Sequence, residues 1–113
     1  MSPREFPYEF DVIETAPNRY AIHARHLRDG AVVGEFEVWR EGARMVFGDI
    51  WVKPEHRRRG LAWGMLHLAL RLAVERGCRV AAFWDVVNPV WERAVMRYGF
   101  TVLPRTGDIG KVL

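Results

Sequence analysis

The spacing of apolar residues changes at Pro54, and this change constrains the fold more than any other feature of the sequence. Before Pro54, apolar and polar residues alternate in short runs, which is typical of β-strands with one buried face. The runs that predict strands are residues 8–15, 19–27, 31–39 and 44–52. Short turns such as Asp29-Gly30 separate them, so we expect consecutive strands to pair as an antiparallel meander.

After Pro54 the apolar residues recur at helical spacing, and a second strand pattern follows. The predicted helices are residues 60–76 and 89–98, and the predicted strands are residues 79–87 and 100–103. The run 79–87 is almost continuously apolar, which predicts a central buried strand with Asp85 as an unusual carboxylate inside it. The predicted order is β-β-β-β-α-β-α-β. This is a mixed α/β (α+β) fold, with two helices on a mostly antiparallel sheet of six to seven strands.

Composition indicates an ordinary globular protein. The chain has 113 residues, of which 50% are apolar and 27% charged, so one domain spanning 1–113 is expected. No apolar run reaches the roughly 18 residues of a membrane-spanning helix, and the N-terminus lacks the apolar region of a secretory signal. Cys78 is the only cysteine, which fits a reducing cytoplasm. The four histidines show no paired spacing with cysteine or acids, so no metal site is expected.

A basic loop follows the fourth predicted strand. Its basic residues are Lys53, His56, Arg57, Arg58 and Arg59. Such a run is a solvated surface, a phosphate site or a nucleic-acid contact. Gly60 and a predicted helix start come directly after it, and the unpaired N–H groups at a helix N-terminus bind anions. This order of elements favours a pyrophosphate site, although neither the Walker A nor the Rossmann glycine pattern is present.

Residues 52–62 resemble the acetyl-CoA-binding motif of the GNAT superfamily of N-acetyltransferases, V-x-P-x-x-R-x-x-G-x-G/A. The residues at the motif positions are Val52, Pro54, Arg57, Gly60 and Ala62. The resemblance implies a GNAT-like fold with acetyl-CoA as co-substrate. It assigns the CoA pyrophosphate to the loop and the first helical turn, namely Arg57, Arg58, Arg59, Gly60, Leu61 and Ala62.

Two neighbouring segments extend the resemblance. Residues 49–52 are similar to the D-L-Y-V run of some relatives, which implies that Ile50, Trp51 and Val52 bind the cofactor. In the family, strand amides receive the acetyl group and the pantetheine arm, and here these are the amides of Ile50 and Val52. Residues 88–100 resemble N-x-x-A-x-x-x-Y-x-x-x-G-F, which implies that Asn88 forms a hydrogen bond to pantetheine.

The sequence departs from the family at both expected catalytic positions. Val95 stands where many members carry a tyrosine that protonates the CoA thiolate. Tyr98 lies three residues further along the helix and is the candidate replacement; the alternative is an aromatic residue packed at a helix end. Gly48 stands where some members carry a glutamate that acts as the general base for the amine.

Asp49 and Glu35 are the candidate replacements for that base. Asp49 is adjacent to Gly48, but strand alternation turns it to the opposite face. If Trp39 pairs with Arg44 across the hairpin, Glu35 falls opposite Gly48 on the same face, which leads us to hypothesise that Glu35 supplies the carboxylate. The alternative is that Glu35 belongs to the solvent side of a half-buried strand. The candidate catalytic residues are therefore Glu35, Asp49 and Tyr98.

The resemblance implies direct transfer of acetyl from acetyl-CoA to a primary amine, without a covalent enzyme intermediate. Only residues 16–18 occupy the place where family members usually carry two helices, so we expect an open cleft that suits a protein or other bulky acceptor. Two other functions stay open. One is an acetyl-CoA-binding sensor or scaffold without turnover. The other is a nucleic-acid-binding domain, which the small net charge of +3 disfavours. Five tryptophans are compatible with a homodimer, and no membrane partner is expected.

Overall fold

A computed structural model describes residues 6–86 and 88–113, which form a seven-stranded sheet with two helices on one face. The strands are β1 (Tyr8–Ala16), β2 (Arg19–His26), β3 (Val32–Glu41), β4 (Arg44–Val52), β5 (Val80–Phe83), β6 (Thr101–Val102) and β7 (Ile109–Val112); the helices are α1 (Leu61–Glu75) and α2 (Pro89–Arg97). The strand order is β1-β2-β3-β4-β5-β7-β6. Only the β4–β5 pair among these neighbours is parallel. The predicted fold class is confirmed.

Helix α1 is flanked by two glycines that fix where it begins and ends. Gly60 has a φ of +80° and Gly77 a φ of +74°, a left-handed conformation that glycine adopts without steric cost. The buried residues of α1 recur every three or four positions and are Leu61, Met65, Leu66, Ala69, Leu72 and Ala73. Burying a side chain such as Leu66 contributes roughly 2 kcal/mol. This face therefore holds α1 on the sheet.

The core lies between the helices and one face of the sheet. Its centre is an aromatic cluster in which Phe36, Phe47, Phe83 and Phe100 have contacting rings, with centroids 5.3–6.5 Å apart. Val95 of α2 is completely buried against it. Edge-to-face contacts of this kind add to the free energy gained from burial alone. No helix within residues 6–86 and 88–113 is long and apolar enough to cross a membrane.

The opposite face of the sheet is covered by neither α1 nor α2, and we call it the helix-free face. The strand register places these side chains on it: Ile13, Ala21, His23, Glu35, Glu37, Trp39, Val46, Trp51 and Ala82. A tight turn with Asn18 at a φ of +62° joins β1 directly to β2. This confirms the prediction that no helices lie between the first and second strands, and the helix-free face stays open.

The predicted end of β5 is wrong. This strand stops at Phe83, so Asp85 is exposed beyond the strand rather than enclosed within it. Residue 87, where the predicted strand ends, lies outside the described residues. Strand β7, which is absent from the predicted element order, inserts between β5 and β6 and is only four residues long.

The predicted register between β3 and β4 is also wrong. The turn is tighter than expected, so Trp39 pairs with Val46 rather than with Arg44. A register shift between Phe36 and Val38 then adds one further residue on the β4 side, as a β-bulge does. As a result, Glu35 lies opposite Trp51 instead of Gly48.

Candidate functional site

A cleft of about 780 Å³ opens where β4 and β5 separate. The two strands pair in parallel only as far as Phe47 and Phe83, and the backbone N–H of Trp84 donates a hydrogen bond of 2.8 Å to the Phe47 carbonyl. Beyond this point β4 continues to Val52, paired only with β3. The far edge of β4 therefore carries backbone polar groups without a strand partner.

The backbone of β4 presents two N–H groups to this cleft. The N–H of Lys53 points to β3, where it donates to the Val33 carbonyl at 2.8 Å. Because strand N–H groups alternate in direction, the N–H of Trp51 also faces β3, and those of Ile50 and Val52 face the cleft. The Val52 carbonyl accordingly accepts a hydrogen bond of 2.9 Å from Nε of Arg57 on the cleft side. All three residues from Ile50 to Val52 line the cleft.

The loop between β4 and α1 closes one end of the cleft. A short 3-10 turn, Pro54–His56, leads into Arg58, which has a left-handed φ of +62°. The first hydrogen bond of α1 runs from the N–H of Gly64 to the Gly60 carbonyl, and no side chain caps the helix. The N–H groups of the first helical turn, from residue 61 to residue 63, are therefore unpaired within the helix and carry its positive dipole end.

The structure brings most of the predicted pyrophosphate residues to this end of the cleft. Those that line it are Arg57, Arg58, Gly60, Leu61 and Ala62. Arg59 is exposed and does not line the cleft. No acidic residue lies in the first turn of α1, so the local charge is positive. An anion at this position would meet unpaired N–H donors and two guanidinium groups.

A contact that the sequence did not predict braces this loop. The hydroxyl of Tyr8, a buried residue of β1, lies 2.8 Å from Nδ1 of His56, which lines the cleft. The ring of His26 packs 5.2 Å from that of His56. The contact joins residues 48 positions apart, so no local pattern in the sequence signals it.

Asn88 is placed at the other side of the cleft, where α2 begins. Its Oδ1 accepts hydrogen bonds from the N–H groups of Val90 (2.9 Å) and Trp91 (3.3 Å), which makes it the N-cap of α2. The side-chain NH₂ is left to donate into the cleft, which Asn88 lines. Trp91 also lines the cleft, and within the described residues its buried indole N–H has no acceptor.

The three predicted catalytic residues separate in the structure. Asp49 lines the cleft and is exposed. Glu35 lies outside it on the helix-free face, where Oε2 is 3.5 Å from Nε2 of His23. Tyr98 lies outside it at the end of α2, where its hydroxyl contacts the His67 ring and its own ring packs 5.2 Å from Trp63. Asp85, beyond β5, is the other carboxylate that lines the cleft.

The fold agrees with what comparison with known proteins finds. The model of the acetyltransferase (GNAT) family matches residues 2–100, so the chain belongs to this family. No curated protein sequence matches the chain.

Several solved structures share the fold. A putative acyl-CoA N-acyltransferase from Klebsiella pneumoniae is 15% identical with a TM-score of 0.77, covering 94% of this chain and 97% of that one. A GNAT family acetyltransferase from Elizabethkingia anophelis with acetyl-CoA bound is 8% identical with a TM-score of 0.74, covering 95% and 99%. The PaiA N-acetyltransferase from Thermoplasma acidophilum in complex with coenzyme A is 17% identical with a TM-score of 0.71; it covers 85% of this chain, which spans 62% of that protein.

Proposed function

We propose that the protein is an acetyl-CoA-dependent N-acetyltransferase that transfers acetyl directly to a primary amine. The observation that carries the proposal is the junction of the unpaired β4 edge with the uncapped N-terminus of α1 in one cleft. A strand edge with inward N–H groups suits the amide-containing pantetheine arm. A helix N-terminus beside Arg57 and Arg58 suits a pyrophosphate.

The donors in the cleft match the acceptor groups of acetyl-CoA. In this proposal Arg57, Arg58 and the first turn of α1 hold the pyrophosphate, and the NH₂ of Asn88 donates to the pantetheine arm. When bound, acetyl-CoA supplies an acetyl thioester. The N–H of Ile50 is the donor placed to polarise its carbonyl oxygen, and the N–H of Val52 binds further along the arm.

Asp49 is the candidate general base with the best position, because it is the one predicted catalytic residue that lines the cleft. An amine attacks a thioester only when unprotonated, and Asp49 accepts its proton directly or through one water. Glu35 would require a relay, since it lies outside the cleft beside His23. Tyr98 contacts His67 and Trp63, so we assign it to packing between α1 and α2. Val95 cannot donate a proton, so the leaving thiolate takes its proton from water in the open cleft.

A titration calorimetry experiment with acetyl-CoA tests the cofactor part of this proposal. We expect the variant Arg57→Ala/Arg58→Ala to bind about tenfold more weakly, since two charge-assisted contacts are lost at an exposed site. The matched control is Arg71→Ala/Arg79→Ala, which removes two exposed arginines outside the cleft and leaves binding unchanged. Arg59→Ala separately tests the predicted contribution of Arg59. Equal loss in the control and the loop variant would show that only net charge matters.

A sensor without turnover is the second candidate function. It is favoured by Val95, which is buried at the position of the expected acid, and by the location of Glu35 and Tyr98 outside the cleft. Release of CoA from acetyl-CoA in the presence of an amine-rich peptide mixture separates the two. Tight binding with no CoA release above the buffer rate would select the sensor.

A further inference from the structure

The helix-free face carries an exposed tryptophan surface at the mouth of the cleft. Trp84 is 68% exposed and Trp51 is 47% exposed. The ring of Trp39 lies 6.3 Å from that of Trp84 and covers Gly48, where an added Cβ would be 2.7 Å from the Trp39 ring. Trp51 itself lines the cleft. Trp39 and Trp84 therefore lie at the Gly48 end of the cleft, and Trp51 lies further along β4 toward the basic loop.

The charges around these tryptophans fall into two groups. Several carboxylates on this side of the molecule are already paired with arginine: Asp11 with Arg25, and both Glu41 and Asp108 with Arg44. Glu35 lies 3.5 Å from the His23 ring. Glu37, Asp49 and Asp85 have no ion-pair partner in the parts of the chain that the structure describes. Asp49 and Asp85 line the cleft, and Glu37 lies on β3 opposite the bulge, with its backbone carbonyl beside Gly48. Three unmatched carboxylates therefore lie around these tryptophans, beside the single positive charge of Arg19 over the Trp39 ring, whereas the basic loop is positive.

A cation fits this surface. Aromatic faces and carboxylates both attract positive groups, and a negatively charged rim raises the local concentration of a basic ligand. The protein shows the first interaction itself, because the guanidinium carbon of Arg19 lies 5.6 Å from the centroid of the Trp39 ring. The tryptophan surface thus offers a cation both aromatic faces and carboxylates beside the cleft.

The openness of this surface points to a polymeric ligand. A small amine is normally enclosed on most of its surface, and no helix of the described chain encloses the helix-free face. An extended peptide instead covers an open face and takes its binding energy from several contacts along its length. Resting on the function proposed above, we propose that the acceptor is a peptide segment with arginine or lysine next to the acetylated amine, and that it docks on the tryptophan surface of Trp39, Trp51 and Trp84 with Glu37, Asp49 and Asp85.

The test measures peptide binding independently of turnover. Fluorescent ten-residue peptides with one free α-amine and either three arginines, three glutamines or three glutamates in an alanine-glycine background are titrated with the protein, with and without saturating CoA. Arginine supplies charge without a second acceptor amine. Spermidine serves as a competitor that represents a small cationic amine.

We expect the arginine peptide to bind at least about tenfold more tightly than the glutamate peptide. Glu37→Gln/Asp49→Asn weakens its binding about three- to tenfold, as expected for two exposed charge contacts. Trp84→Ala, a change at an exposed position that leaves the core intact, weakens it about fivefold or more. The control Glu14→Gln/Glu75→Gln removes the same charge from exposed positions elsewhere and leaves binding unchanged.

Two results would overturn the inference. The first is equal binding of the three peptides, or no effect of the Glu37→Gln/Asp49→Asn and Trp84→Ala variants. The second is displacement of the arginine peptide by spermidine at the same concentration as the peptide, which would assign the surface to small amines. Calorimetry with CoA alone is run on the same variants. If CoA binds but the three peptides bind equally, only this inference is refuted. If CoA does not bind, the proposed function is refuted.

Discussion

Arg58 combines a charge that faces the cleft with a backbone conformation that glycine prefers. Its φ of +62° places a non-glycine residue in the left-handed region, which costs about 1–2 kcal/mol. Arg58→Ala removes the charge and keeps this cost, whereas Arg58→Gly removes both. Glycine partly offsets this gain, because the greater conformational entropy of the unfolded chain lowers the free energy of unfolding by roughly 0.5–1 kcal/mol. We therefore expect Arg58→Gly to exceed Arg58→Ala in free energy of unfolding by about 1 kcal/mol.

Thermal unfolding followed by tryptophan fluorescence measures this difference. With an unfolding entropy of about 2 cal/mol/K per residue, 1 kcal/mol corresponds to roughly 4 °C in Tm for a chain of this size. Calorimetry with CoA is run in parallel, and both variants lose about two- to fivefold in affinity because each lacks the same exposed charge.

Asn18 provides a matched control, since it has the same φ of +62° in the β1–β2 turn, away from the cleft. Asn18→Gly and Asn18→Ala are expected to differ in stability in the same direction and to bind CoA as the parent protein does. The reasoning fails if Arg58→Gly is no more stable than Arg58→Ala. It also fails if Arg58→Ala keeps the full affinity for CoA.

Three further predictions concern single positions. Tyr8→Phe removes the hydrogen bond to His56 and lowers the free energy of unfolding by about 1 kcal/mol. Calorimetry should also show that the affinity for CoA falls a few-fold. An unchanged affinity would mean that the Tyr8–His56 contact does not position the loop. Gly48→Ala places a Cβ 2.7 Å from the Trp39 ring and should lower the free energy of unfolding by about 1–3 kcal/mol in urea, unless the ring swings away at no cost. Burial raises the pKa of the Cys78 thiol, an effect that Arg40 opposes; the thiolate fraction at pH 8 is therefore below that of an ordinary cysteine and grows only at higher pH. Native protein should react slowly with a thiol reagent at pH 8, and rapid stoichiometric labelling would contradict this.

Local signals explain why the position of the basic loop between β4 and α1 could be predicted from the sequence. Pro54 ends the pairing of β4, Gly60 fits the left-handed position before α1, and the apolar period of α1 begins at once. Each of these effects acts within a few residues of the position concerned. The placement of Arg57 and Arg58 at the cleft follows from them.

The position of the candidate carboxylate Glu35 could not be predicted in the same way, because it depends on the register of β3 against β4. One bulged residue and a shorter turn moved Glu35 from Gly48 to Trp51. The bulge lies where the Trp39 ring closely approaches Gly48, a contact between residues of different strands that no local sequence pattern marks. For the same reason the Tyr8–His56 contact, which joins β1 to the loop, was invisible in the sequence.

The most direct test of the central claim is a set of ¹H–¹⁵N spectra of the labelled protein as CoA is added. The claim is that the β4 edge and the N-terminus of α1 hold the cofactor together. It predicts that the largest amide shifts occur at Ile50, Val52, Gly60 and Leu61, while Asn18 in the β1–β2 turn does not move. Saturable binding with its largest shifts in that turn, or no shifts at millimolar CoA, would contradict the assignment of this cleft to CoA.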